Sequence, residues 1–134
     1  MVYYFGCSYP LEKNSVVKKG NWGRICRLEA FNPRLLTELV FENIRLQKFP
    51  HLPSRFNCVF LCSNKESLTC FIQQQKRPFD LLYEVELVNP SANTFETDWS
   101  VFKTYNSIVE SENAAFRYWE PKEIPNQFKE ILTK

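Results

Sequence analysis

The residues with most chemistry to offer are Arg55, an aromatic at Phe60, a scatter of acids ending in Glu130, and the cysteines that flank Phe60. Arg55 stands two residues past Pro53 and just ahead of Cys58-Val59-Phe60-Leu61-Cys62, an apolar run of strand length. Pro53 fixes its own φ and biases His51-Leu52 toward extended geometry. Ser63, followed three residues later by Glu66, has the form of a capping box, so the strand is expected to turn directly into a helix. A strand-to-helix corner with an arginine just upstream is either an ordinary core element or the wall of a ligand cleft. Glu130 lies in Phe128-Lys129-Glu130-Ile131-Leu132-Thr133, read as a last strand, and on pattern alone it is an exposed residue between Lys129 and Lys134. Glu110 and Glu112 have E-x-E spacing, and Glu96 and Asp98 are further acids; each reads first as solvated. Cys58, Cys62, Cys70 and the single histidine, His51, are a conceivable metal set. The five cysteines contain no C-x-x-C pair, however, and buried reduced thiols are the better reading.

The elements that must position these residues follow in chain order. Val2-Tyr3-Tyr4-Phe5-Gly6-Cys7 is β-prone through its aromatic and branched side chains, and Gly6 suits a bulge or a close approach. A polar loop containing Pro10 leads to Ser15-Val16-Val17-Lys18, a Lys19-Gly20-Asn21 turn, and Trp22-Gly23-Arg24-Ile25, read as a short strand or extended arm. Asn32-Pro33 is a strong helix start, with Leu35, Leu36, Leu39, Val40 and Ile44 forming one face. That helix must stop before Phe49-Pro50-His51-Leu52-Pro53. Past Ser63, Leu68, Phe71 and Ile72 give a helix of about three turns, and Phe79 to Val88 reads as a strand with Tyr83, Val85 and Leu87 on one face. Val101, Tyr105 and Ile108 have near-helical spacing in the ambiguous 94–106 stretch. Ser111 to Trp119 is expected to be a helix with Ala114, Ala115, Tyr118 and Trp119 facing inward, stopped by Pro121 and Pro125.

Length and composition bound these readings. A chain of 134 residues is most simply one domain, 1–134, able to bury a core without staples. Its 44% hydrophobic and 16% aromatic content excludes a disordered chain, and with 3 glycines there is no Gly-rich phosphate loop. A formal charge of +2 gives no general mandate for nucleic acid, although Trp22, Arg24 and Arg27 interleave aromatic and basic groups as a single-strand site does. The apolar runs are shorter than a bilayer span, and Met1-Val2-Tyr3-Tyr4-Phe5 is neither a signal n-region nor a transit peptide. The expectation is a soluble protein without a membrane partner. Strands mixed irregularly with short helices predict an α+β class.

Six segments, in order, carry a resemblance: Tyr4-Phe5-Gly6, Asn21-Trp22-Gly23-Arg24, Pro53-Ser54-Arg55 through Ser63, Leu82-Tyr83-Glu84-Val85-Glu86, Ala115-Phe116-Arg117-Tyr118-Trp119 and Glu130-Ile131-Leu132. Their arrangement resembles the ADP-ribosyltransferase fold, in particular a small bacterial branch and, more distantly, rifampin-modifying transferases and nucleic-acid-modifying toxins. The resemblance implies one domain with a split, antiparallel-rich sheet flanked by short helices, using NAD as substrate and no metal. It makes Glu130 the catalytic carboxylate near the ribose 2-hydroxyl, where its hydrogen bond strengthens as oxocarbenium character develops. Cofactor binding would fall to Tyr4, Phe5, Gly6, Arg55, Phe60 and Tyr118, with Arg55 on the pyrophosphate and Phe60 as the nicotinamide platform. Many family members have a histidine that orients NAD where this chain has Phe5, and a stacking tyrosine where it offers Phe60. Phe60 keeps the π-face that stacking uses. Phe5 lacks the hydrogen bond, so Tyr4, another residue or backbone supplies it, or NAD cleavage is lost.

The implied function is NAD-dependent transfer of ADP-ribose to a macromolecular acceptor, protein or nucleic acid, by a toxin, defence factor or effector. Its partners would include an inhibitor or antitoxin protein, and its place of action the cytoplasm, its own or that of a target cell. The alternative is a catalytically degenerate module of the same fold that binds NAD, another nucleotide or a protein. NAD hydrolysis without an acceptor is a third reading.

Overall fold

A computed structural model describes residues 1–29 and 32–133. The chain begins with β1 (Tyr3–Cys7), which pairs antiparallel with β3 (Leu81–Val85) from Tyr3↔Val85 to Cys7↔Leu81. A second antiparallel sheet runs β2 (Val59–Leu61), β5 (Lys129–Thr133), β4 (Thr94–Asp98), so the last strand lies in the middle. The two sheets touch through a Tyr4–Cys62 bridge, with Tyr4 N donating to Cys62 O at 2.8 Å and Cys62 N to Tyr4 O at 2.9 Å. The architecture is mixed α and β with antiparallel sheets, compatible with the expected α+β class.

Alternation along paired strands decides which side chains share a face. Phe60 and Phe95 both lie opposite Leu132, and Thr97 opposite Glu130, so these residues share one face of the three-stranded sheet. Helices α2 (Leu35–Lys48) and α4 (Ile108–Trp119) cover that face with Phe41, Ile44, Ala114, Ala115, Tyr118 and Trp119. The other face presents Leu61 and Ile131 to Tyr3 of β1, with Phe5, Val59, Val85 and Leu87 packed around them. Phe128 and Phe71 both meet the indole of Trp99, fastening helix α3 (Lys65–Gln74) over the start of β5.

Several expectations need correction. Trp22-Gly23-Arg24-Ile25 is not extended but lies in helix α1 (Asn21–Leu28). The helix follows Gly20, whose φ of 90° suits glycine, and it packs so tightly that a Cβ on Gly23 would lie 2.0 Å from the Phe56 carbonyl oxygen. The α2 face is also rotated. Leu36 and Leu39 are exposed, and the buried side is Thr37, Glu38, Phe41, Ile44 and Arg45. Apolar spacing misplaced this face because it assigns charges to solvent, whereas Glu38 and Arg45 are buried with partners. Arg45 binds Glu42 at 2.5 Å and the Leu52 carbonyl at 2.8 Å, and Ser54 Oγ donates to Glu42 at 2.8 Å, which clamps the 50–54 segment to α2.

The α3 cap is Asn64 rather than Ser63: its Oδ1 accepts from Ser67 N at 2.8 Å. The strand expected over 79–88 is confined to Leu81–Val85, the length over which β1 can pair with it. The ambiguous 94–106 stretch is not helical by its Val101/Tyr105/Ile108 spacing; it forms β4 and a single 3-10 turn, Trp99–Val101. The late helix has its expected inward face but begins earlier, capped by Ser107. All five cysteines are free, four of them buried and Cys70 half-buried. His51 is exposed, and among the described residues no three His, Cys, Asp or Glu side chains cluster as metal ligands.

Candidate active site

The short turn Arg55–Asn57 delivers Arg55 beneath the three-stranded sheet, because Ser54 caps it by accepting from Phe56 N and Gly23 lets α1 press onto its backbone. Arg55 is 8% exposed. Its Nε lies 3.0 and 2.9 Å from the two Glu38 oxygens, and its Nη2 donates to Glu38 Oε1 at 2.9 Å. Nη1 donates to the Tyr118 hydroxyl at 2.7 Å, and that hydroxyl donates onward to Glu130 Oε2 at 2.8 Å. The same Nη1 stands 3.5 Å from Glu130 Oε2. Trp22 completes the chain, its indole N–H donating to Glu38 Oε1 at 2.6 Å. The guanidinium also lies over Phe102 at 4.0 Å and Phe60 at 4.8 Å from the ring centroids.

A buried guanidinium between two carboxylates is held by compensation. Burial works against the Arg55 charge, but Glu38, then Tyr118 and Glu130, outweigh it and keep its pKa well above the ordinary value. Burial likewise dominates at Glu130 and raises its carboxyl, against the opposing pull of Arg55 and the Tyr118 hydrogen bond. The Tyr118 hydroxyl is raised well above its usual range, first by burial, so it remains a proton donor. Cys58 and Cys62 on the neighbouring strand end are raised by burial, Cys62 to about 12, which makes both poor nucleophiles at neutral pH.

Glu130 and Arg55 line a cleft of about 1030 Å³, whose walls also include Tyr4, Phe5, Gly6, Phe60, Trp99 and Phe102. Among the described residues Glu130 Oε1 takes no hydrogen bond, so one carboxylate oxygen is held by Tyr118 and the other is free beside the cleft. Lys18, Lys19 and Arg24 stand exposed along another part of the lining.

Sequence reasoning therefore found a real cluster but assigned some roles that the geometry alters. Glu130 is not an exposed strand residue; it is 7% exposed on the central strand. Tyr118 is fully buried and is not part of the cleft lining, and its hydroxyl donates to Glu130. Arg55 lines the cleft, with most of its fork engaged by Glu38 and Tyr118. Phe5, on the strand face of Tyr3, packs toward Leu61 and Ile131. Gly6 admits close approach, since an added Cβ would meet Leu68 Cδ1 at 3.2 Å. Glu38 and Phe102 were missed, and Trp22, singled out only beside Arg24 and Arg27, joins the cluster through its indole N–H on Glu38. For Glu38 a signal existed, because it shares helical spacing with Phe41 and Arg45 on α2.

No curated protein matches the chain. A family model matches residues 10–134, a span that takes in Trp22, Glu38, Arg55, Tyr118 and Glu130 and leaves β1 outside. The chain belongs to that family, DUF2441, whose description is "protein of unknown function".

Proposed function

We propose that this protein is an ADP-ribosyltransferase that cleaves NAD in the cleft and passes ADP-ribose to a macromolecular acceptor. The observation that carries the reading is Glu130: a buried carboxylate on a central strand, held through one oxygen, with the other free at a cleft large enough for a dinucleotide. Its volume is at the upper end of the roughly 300–1,000 Å³ usual for small-molecule sites. The ordered resemblance of six segments and the split pair of antiparallel sheets support the same reading.

The chemistry follows from the charges. Breaking the bond between ribose C1 and nicotinamide sends the electron pair to the departing ring and leaves oxocarbenium character on the sugar. The free Oε1 of Glu130 accepts the ribose 2-hydroxyl proton in a hydrogen bond that strengthens as that charge grows. Tyr118 and Arg55 fix the other oxygen, so the carboxylate does not reorganise during the step. An acceptor nucleophile then forms the new bond at C1 and loses its proton. With Arg55 committed to Glu38 and Tyr118, the pyrophosphate falls to another cation of the lining, and Arg34 forms no ion pair among the described residues.

Incubation with NAD labelled in the adenylate half tests this reading. Nicotinamide release with label appearing on an added cell extract supports it; release with free ADP-ribose as the sole product points to hydrolysis, and no release counts against turnover. A second reading, a binding module without turnover, is favoured by two positions. Arg55 covers the Phe60 ring proposed as nicotinamide platform, and Phe5 packs among apolar side chains where an orienting group is needed. Calorimetry with a non-hydrolysable NAD analogue separates the two, because that module binds the analogue yet releases no nicotinamide from NAD.

A further inference from the structure

The cleft is far more basic than the chain that forms it. Lys18, Lys19, Arg24, Arg34, Arg55 and Arg77 line it against a single carboxylate, Glu130, among the described residues. Because the whole chain carries only +2, the remainder of the molecule is net acidic. Arg55 is neutralised by Glu38, and Arg77 by Asp80 at 2.6 Å. Lys18, Lys19, Arg24 and Arg34 form no ion pair among the described residues, and the first three are exposed. That is more uncompensated positive charge than one pyrophosphate needs. Among the aromatic side chains of the lining are Tyr9, 56% exposed, and Trp22, half-buried with its N–H turned inward to Glu38.

We infer that this lip of the cleft binds single-stranded nucleic acid, its phosphates on Lys18, Lys19 and Arg24 and its bases stacked on Tyr9 and Trp22. Cations that track a backbone beside aromatic faces are what sequence-tolerant single-strand binding requires. A duplex hides its base faces, and an acidic peptide has no flat rings to place on Tyr9 and Trp22, so both use only part of this surface. Arg27, one turn beyond Arg24 on α1 and also exposed, extends the positive track past the cleft. The inference goes beyond the NAD reading and does not depend on it.

Fluorescence anisotropy without NAD tests it, using a short labelled oligothymidylate and the matching oligouridylate, with a duplex and an oligoglutamate peptide as comparisons. Both single strands are expected to bind at least about tenfold more tightly than duplex or peptide, the stacking of one or two bases being enough for that. A ratio between the two single strands identifies DNA or RNA as the preferred source. The Lys18→Ala/Lys19→Ala variant should flatten the plot of log affinity against log salt by about 1.4, the share of two phosphate contacts on a single strand. Tyr9→Ala should weaken binding about fivefold or more with the salt slope unchanged. Duplex or oligoglutamate binding as tight as the single strands would overturn the inference, as would a lysine variant with unaltered slope. A protein inert toward NAD that still binds the oligonucleotides in this way refutes the transferase reading and supports this one.

Discussion

The β2–β5–β4 sheet and the β1–β3 pair bound the same cleft but are held very differently. Over the first, Leu132, Ala114, Ala115, Tyr118 and Trp119 have no exposure, and Trp119 Nε1 ties α4 to the Phe41 carbonyl of α2 at 3.0 Å. Over the second, Leu81 and Leu82 are 44% and 47% exposed, and the buried contact reduces to Tyr3, Leu61 and Ile131 with partly buried neighbours. Burial of apolar area sets most of the stability of each. The carboxylate proposed for catalysis thus stands on the densely packed wall, and the opposite wall is the one that can yield to a ligand at little cost.

The largest break in this contrast is expected at Arg55. Arg55→Ala leaves Glu38 buried and without its ion-pair partner, which costs about 3–5 kcal/mol, to be read as a lower midpoint in urea denaturation. Leu132→Ala, a cavity in the packed wall, should cost about 2–5 kcal/mol by the same measurement. Next comes a pH effect of definite sign. The Glu130 carboxyl is raised in the folded protein, chiefly by burial, so the stability linked to its protonated form is complete below the unfolded value near about 4.3 and is lost as pH rises through the higher folded value. Glu130→Gln should therefore gain stability relative to wild type as pH climbs through that window, a trend that thermal melts at a series of pH values will show or refute. The smallest change is expected in the light wall, where Leu82→Ala should stay within about 0.5 kcal/mol. A large loss there would erase the distinction between the walls.

Much of the densely packed half could be read from residue order. Ala114, Ala115, Tyr118 and Trp119 repeat at helical spacing, and the apolar run around Phe60 has strand length, so periodicity alone placed both. The site was legible only in pieces. Residue types singled out Arg55, Tyr118 and Glu130 one by one and only the resemblance put them in one site, because their linkage is non-local, with Tyr118 donating to Glu130 across a helix-to-strand connection and Arg55 reaching both. The α2 face failed for the same reason. A buried Glu38 contradicts hydrophobic patterning until its partners, 17 residues away at Arg55 and 16 at Trp22, are in place. Helix α1 was hidden because Gly20 and Gly23 look like turn residues, when one of them precedes the helix and the other allows its backbone to approach Phe56.

The central claim is that Glu130 stabilises the breaking bond to nicotinamide, and the rate of nicotinamide release by wild type and Glu130→Gln tests it most directly. Gln keeps the shape and an acceptor for Tyr118, and a cooperative melt at the assay pH shows that the variant is folded. A folded variant slowed by about a hundredfold or more, the usual consequence of removing such a transition-state contact, is the predicted result. Equal release by both proteins would contradict it.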